Sequence, residues 1–147
     1  MQNKWTFWMT KHLIQCLLCL SLFSTVPIFA NAVESTALTT QVSVSGPMTD
    51  EKFNRLLSQG FKSVIVNRPD DEAGNLVTAH QLRNIAEKSQ VSLVYQPVIS
   101  GQIKQQDVAE FAKYYNSLPK PILMICKSGS RSTALFNQAQ NAGLLHE

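Results

Sequence analysis

The run Ile122-Leu123-Met124-Ile125-Cys126 is apolar at every position. A strand there has hydrocarbon on both faces, and such a strand is stable only in a sheet covered above and below. Segments able to cover it alternate with further strands. Residues 41–45 alternate and are β-branched, closing at Gly46-Pro47. Thr49 is placed to cap a helix with Phe53, Leu56 and Leu57 on one face, and Gly60 to end it. Residues 61–67 read as a buried strand, followed by an acidic, turn-rich loop over 68–75. Thr78 and Gln81 fit a capping box for a helix facing inward through Leu82, Ile85 and Ala86. Residues 91–98 form a further strand, with Pro97 weakening its far end. Val108, Phe111, Ala112 and Tyr115 mark a third helix stopped by Pro119, and residues 131–141 a fourth, with Gly143 just beyond. Four strand–helix alternations predict a three-layer α/β/α domain with a mainly parallel sheet.

That domain does not need the whole chain. Lys4 and Lys11 precede an apolar stretch over 13–30, which ends in Ala30-Asn31-Ala32. A basic start, an apolar centre and a small-residue end describe a secretory signal peptide over 1–32, cut after Ala32. Residues 33–40 are a polar lead-in, and 41–147 the α/β domain. The stretch is short for a membrane anchor and contains Pro27, so no stable membrane insertion is expected after cleavage. The 147-residue chain has a net charge of +3; residues 33–147 carry eleven Lys and Arg against ten Asp and Glu, or +1. Without a basic run, nucleic-acid binding has no support. Removal of the leader also takes away Cys16 and Cys19 and leaves Cys126 alone. In an exported, oxidising setting a lone Cys is either a small buried hydrophobe or a working thiol.

The residues after Cys126 favour the second. Cys126-Lys127-Ser128-Gly129-Ser130-Arg131-Ser132 joins the apolar strand to a helix, at the edge of the sheet where α/β folds bind ligands. Gly129 permits a turn that points several N–H groups inward. The following helix start adds its own unpaired N–H groups, and Arg131 a planar fork suited to two oxygens of an oxyanion. Such surroundings stabilise a thiolate, to which the Ser132 hydroxyl could donate. Lys127, Ser128, Gly129, Ser130 and Ser132 are therefore the expected oxyanion-binding residues around Cys126 and Arg131.

This loop, together with residues 60–70 (Gly-Phe-Lys-Ser-Val-Ile-Val-Asn-Arg-Pro-Asp) and Gln96-Pro97-Val98, resembles the phosphatase-like domain family named after beta-lactamase hydrolase-like proteins. That family is related to dual-specificity and tyrosine phosphatases. The resemblance implies a cysteine-phosphatase fold, Cys126 as nucleophile and Arg131 on the substrate oxyanion. The substrate would be a phosphorylated small molecule or phosphoprotein. Four residues separate Cys126 from Arg131, and Ile125 precedes the Cys; tyrosine phosphatases usually have five residues and a His there. Four is also the spacing of many rhodaneses, so sulfur transfer through a Cys persulfide is one alternative and a non-catalytic oxyanion-binding module another.

Phosphate-ester cleavage also needs an acid to protonate the leaving oxygen. Dual-specificity phosphatases place an Asp after the strand corresponding to 91–98, but Ile99-Ser100-Gly101-Gln102 has none. Asp107 reads as a first-turn helix residue. Asp70, Asp71 and Glu72 follow another strand and reach the same edge. Asp70 is the first candidate, because Arg68-Pro69-Asp70 matches the family segment. No metal-ligand spacing or dinucleotide fingerprint occurs, so neither a metal nor another cofactor is expected.

Overall fold

The computed structural model describes residues 33–146; the expected signal peptide lies outside the described residues. The sheet has five strands: β1 (Thr36–Ala37), β2 (Val42–Ser45), β3 (Ser63–Val66), β4 (Ser92–Tyr95) and β5 (Ile122–Ile125), in the order β1-β2-β5-β3-β4. Four helices connect or follow them: α1 (Asp50–Leu57), α2 (Ala79–Lys88), α3 (Gln105–Ser117) and α4 (Ser130–Asn141). The four longer strands are parallel, and β1 pairs antiparallel to β2. This is the α/β/α arrangement expected from the alternation.

The apolar run 122–125 has a simple cause. β5 sits at the centre, with Ile122 in register with Val42 on one side and Ser63 on the other. Its odd and even side chains enter different cores. Ile122 and Met124 pack with Phe111, Tyr115, Leu135 and Phe136 of α3 and α4. Leu123 and Ile125 pack with Phe53, Leu56, Leu82 and Ala86 of α1 and α2. Each face of the sheet therefore carries one pair of helices, and no residue of β5 exceeds 2% exposure.

The helix starts follow local chemistry. Thr49 Oγ1 accepts from the Lys52 N–H at 3.3 Å. Thr78 Oγ1 accepts from the Gln81 N–H at 3.2 Å while Gln81 Oε1 accepts from the Thr78 N–H at 2.8 Å, the reciprocal pair anticipated from sequence. The lead-in differs from expectation. Thr36 and Ala37 form an edge strand on β2, and the Glu34 carbonyl accepts from Ser45 Oγ at 2.7 Å. Two residues are too short for a periodic signal; the partner strand supplies the order.

None of the helices among the described residues is long and apolar enough to cross a membrane.

Candidate active site

β5 ends at the sheet's carboxyl edge between the ends of β2 and β3, so Cys126 emerges between Gly46 and Asn67. The Cys126 N–H donates to the Ser45 carbonyl at 3.2 Å, and the Asn67 N–H to the Ile125 carbonyl at 2.7 Å. A Cβ on Gly46 would stand 3.3 Å from the Ser128 Cα, so hydrogen at that position lets the loop lie against β2. Gly129 has φ +90°, a conformation that L side chains avoid. It turns the Gly129 N–H onto Cys126 Sγ at 3.1 Å.

Cys126 is only 1% exposed, yet its loop side is covered by peptide donors rather than hydrocarbon. Burial pushes the thiol up. The N–H groups of Ser132 and Ser128, the Ser132 hydroxyl and the Arg131 N–H outweigh it, and the net shift is below the ordinary value of 9.0. Each of these donors stabilises negative charge on sulfur more than it stabilises the neutral thiol.

The remaining loop residues divide by exposure. Lys127, Ser128 and Ser130 are exposed, and the two serine hydroxyls stand 2.8 Å apart. Ser132 is fully buried, and its hydroxyl donates to Asn67 Oδ1 at 2.9 Å as well as reaching the sulfur. A hydroxyl has one proton, so Asn67 competes with the thiolate for it.

Asn67 was not singled out in the sequence, and it organises the buried polar side of the site. Its Nδ2 donates to the Gln96 carbonyl at 3.2 Å, and its own carbonyl accepts from Arg131 Nη1 at 3.1 Å. Gln96 Nε2 donates in turn to the Asp107 carbonyl at 2.9 Å. These contacts link the ends of β3 and β4 to the starts of α3 and α4. The only sequence signal was Asn at the end of an apolar strand, which ordinarily reads as a turn residue.

Arg131 is buried beside Glu72. Its Nη2 donates to Glu72 Oε2 at 2.6 Å, and Glu72 Oε1 stands 3.5 Å from Nε of the equally buried Arg68. Two guanidinium groups thus flank one carboxylate next to the sulfur, leaving a positive excess for an anion. Arg131 Nε is buried and has no hydrogen-bond partner. An orphaned charged donor of this kind calls for an acceptor, and an oxyanion beside the loop N–H groups would supply one.

The three loop acids have different positions. Asp70 Oδ1 accepts from the Ala79 N–H at 2.7 Å, at the start of α2, and its own N–H donates to the Tyr95 hydroxyl at 3.0 Å. Glu72 is paired as described. Asp71 is exposed and lines an open groove with Pro69, Glu72, Ile99, Ser100 and Lys127. Asp107, as its helical position suggested, accepts from the Lys104 N–H through Oδ2 at 2.8 Å. Among the described residues, no group of three or more His, Cys, Asp or Glu side chains is arranged to hold a metal ion.

Residues 34–143 match the model of the family described as beta-lactamase hydrolase-like protein, phosphatase-like domain. The beta-lactamase hydrolase-like protein of Xylella fastidiosa is 26% identical over 96 residues, which cover 65% of this chain and 22% of the relative. The homologous protein of Agrobacterium fabrum is 27% identical over the same shares. This chain thus spans about a fifth of the length of the curated relatives it matches. A phosphatase candidate of known structure from Neisseria meningitidis is 26% identical with a TM-score of 0.67, covering 74% of this chain and 77% of that one. The catalytic core of the PP-IP phosphatase Siw14 from S. cerevisiae shares the fold, at 18% identity and a TM-score of 0.58, covering 74% of this chain and 67% of that one.

Proposed function

The chain belongs to the beta-lactamase hydrolase-like protein, phosphatase-like domain family, and on that premise we propose that it is a cysteine-dependent phosphoric monoester hydrolase. The observation that carries this reading is the ring of N–H donors on Cys126 Sγ, closed by a buried arginine whose Nε lacks a partner. A thiolate held there attacks phosphorus. The oxygens of the transferred group enter the loop, where the N–H groups and the Arg131 edge receive their charge. Phosphocysteine forms as the ester P–O bond breaks and the alcohol half leaves, and water then cleaves the S–P bond, returning the thiolate and releasing phosphate. Lys127, Ser128 and Ser130 line the exposed rim, suited to the rest of a phosphorylated small molecule or phosphoprotein.

Turnover of an aryl phosphate by residues 33–147 tests the reading. It predicts phosphate release by the wild type and none by Cys126→Ser, with an added phosphoryl mass on Cys126 after acid quenching. Turnover that survives in Cys126→Ser would falsify it. A persulfide on Cys126 after thiosulfate, without phosphate release, would favour sulfur transfer instead. The basic, apolar and Ala-x-Ala segments of the first 32 residues support export. The corresponding check is a secreted or periplasmic product whose amino terminus is Val33; retention of Met1 on the product would remove that proposal.

A further inference from the structure

If Cys126 and Arg131 cleave a phosphate ester, a proton must still reach the departing oxygen, and the neighbouring carboxylates differ in their freedom to supply it. Asp70 accepts the Ala79 N–H at the start of α2. Both oxygens of Glu72 face guanidinium groups, one on Arg131 and one on Arg68. Asp107 accepts the Lys104 N–H. Asp71 is exposed, and its side chain has no hydrogen-bond or ion-pair partner among the described residues.

Asp71 also stands in the appropriate place. The groove it lines encloses about 440 Å³, and two of its other walls belong to the reaction loop or touch it. Lys127 directly follows the nucleophile, and Glu72 holds Arg131 Nη2 at 2.6 Å. The far wall is Ile99, 59% exposed, with Ser100. An ester whose phosphoryl group sits in the Cys126–Arg131 loop therefore has this groove beside it for the alcohol or phenol half, with an apolar contact at Ile99 and an unengaged carboxyl at Asp71.

We propose that this groove receives the leaving-group half of the phosphate ester and that Asp71 is the general acid. The assignment rests on the phosphatase reading. In the first step the S–P bond forms and the P–O bond breaks. The electron pair of the broken bond goes to the leaving oxygen, which takes the Asp71 carboxyl proton and departs as the alcohol. In the second step the Asp71 carboxylate takes a proton from water as that water attacks phosphorus. The S–P pair returns to sulfur, phosphate leaves, and Asp71 is protonated again.

The experiment compares residues 33–147 of the wild type, Asp71→Asn and Asp70→Asn on aryl phosphates of graded leaving-group acidity and one alkyl phosphate. Single-turnover phosphocysteine formation is read alongside the rates. Asp71→Asn is expected to stay within a few-fold of wild type on a dinitrophenyl ester, whose phenolate leaves unaided. On phenyl and alkyl esters the loss should reach about 100-fold or more. The dependence on leaving-group pKa steepens. Rates that match wild type, or that drop equally for every ester, overturn the assignment. A steepened slope in Asp70→Asn with none in Asp71→Asn overturns it in favour of Asp70. A wild type inert toward every ester removes the phosphatase reading and the assignment together, whereas an active wild type beside an unaltered Asp71→Asn removes the assignment alone.

Discussion

Cys126 combines two properties that usually exclude each other, near-complete burial and a thiol shifted below its ordinary value. They coexist because the loop replaces water with N–H groups already oriented toward the sulfur. A consequence is a pH dependence with a defined sign. On a dinitrophenyl ester, which needs no acid, phosphatase activity should rise as the thiol ionises and level off below 9.0, and alkylation by iodoacetamide should follow the same curve. Ser132→Ala removes a hydroxyl donor and should move both curves upward in pH; unchanged curves would show that the Ser132 proton stays on Asn67. Stability is linked to the same ionisation. The folded-state value lies below the unfolded one, so the stabilisation is fully present above the unfolded value of 9.0 and is lost as pH falls through the folded one. The difference in thermal midpoint between wild type and Cys126→Ser should therefore shift in favour of wild type as pH rises toward 9.0.

Between elements, the site depends on contacts distant in sequence. Asn67 stands at the end of β3, 64 residues from Arg131 and 65 from Ser132, and touches both. Its side chain is fully buried, so Asn67→Ala would leave the Ser132 hydroxyl only the Cys126 sulfur as acceptor and would leave the Gln96 carbonyl without the Asn67 donor. Leaving buried polar groups unpaired in this way costs about 1–3 kcal/mol each. Urea unfolding should show a loss of that order, and a cost below about 0.5 kcal/mol would mean that water replaces the amide without penalty. Pattern reading found the strand and the helix that Asn67 connects, because strand alternation and helical spacing are local properties. It did not find the connection, because no residue near Asn67 in sequence reveals that Ser132 will face it. Glu72 is a similar case. The loop was legible as acidic, but its pairing with Arg131 spans 59 residues.

On the scale of the molecule, one sheet separates two cores, and the Cys126–Arg131 loop emerges where its central strand ends. Phe53 anchors one core and Phe111 the other, each at 0% exposure. Truncating either to Ala should cost about 3–5 kcal/mol, the usual range for a buried phenylalanine. Calorimetry on the two variants checks this; a loss below 1 kcal/mol at either would show that its side of the sheet repacks around the void. The edge strand β1 belongs to this scale too. Thr36 and Ala37 have no strand signal of their own, and their order comes with antiparallel pairing to the outer edge of β2.

From sequence alone came the alternation of strands and helices, the capping residues, the central buried strand and the Cys126-to-Arg131 loop. All of these depend on neighbours within about one helical turn or one strand, the range over which side-chain periodicity and backbone preference act. Tertiary structure decided the use of the acids: Asp70 at the start of α2, Glu72 between two arginines, and Asp71 facing a groove. Those three residues are consecutive and chemically alike. Their differences come from partners brought beside them by the crossing of the chain over the sheet, because an ion pair or hydrogen bond depends on distance in space and not on separation in sequence.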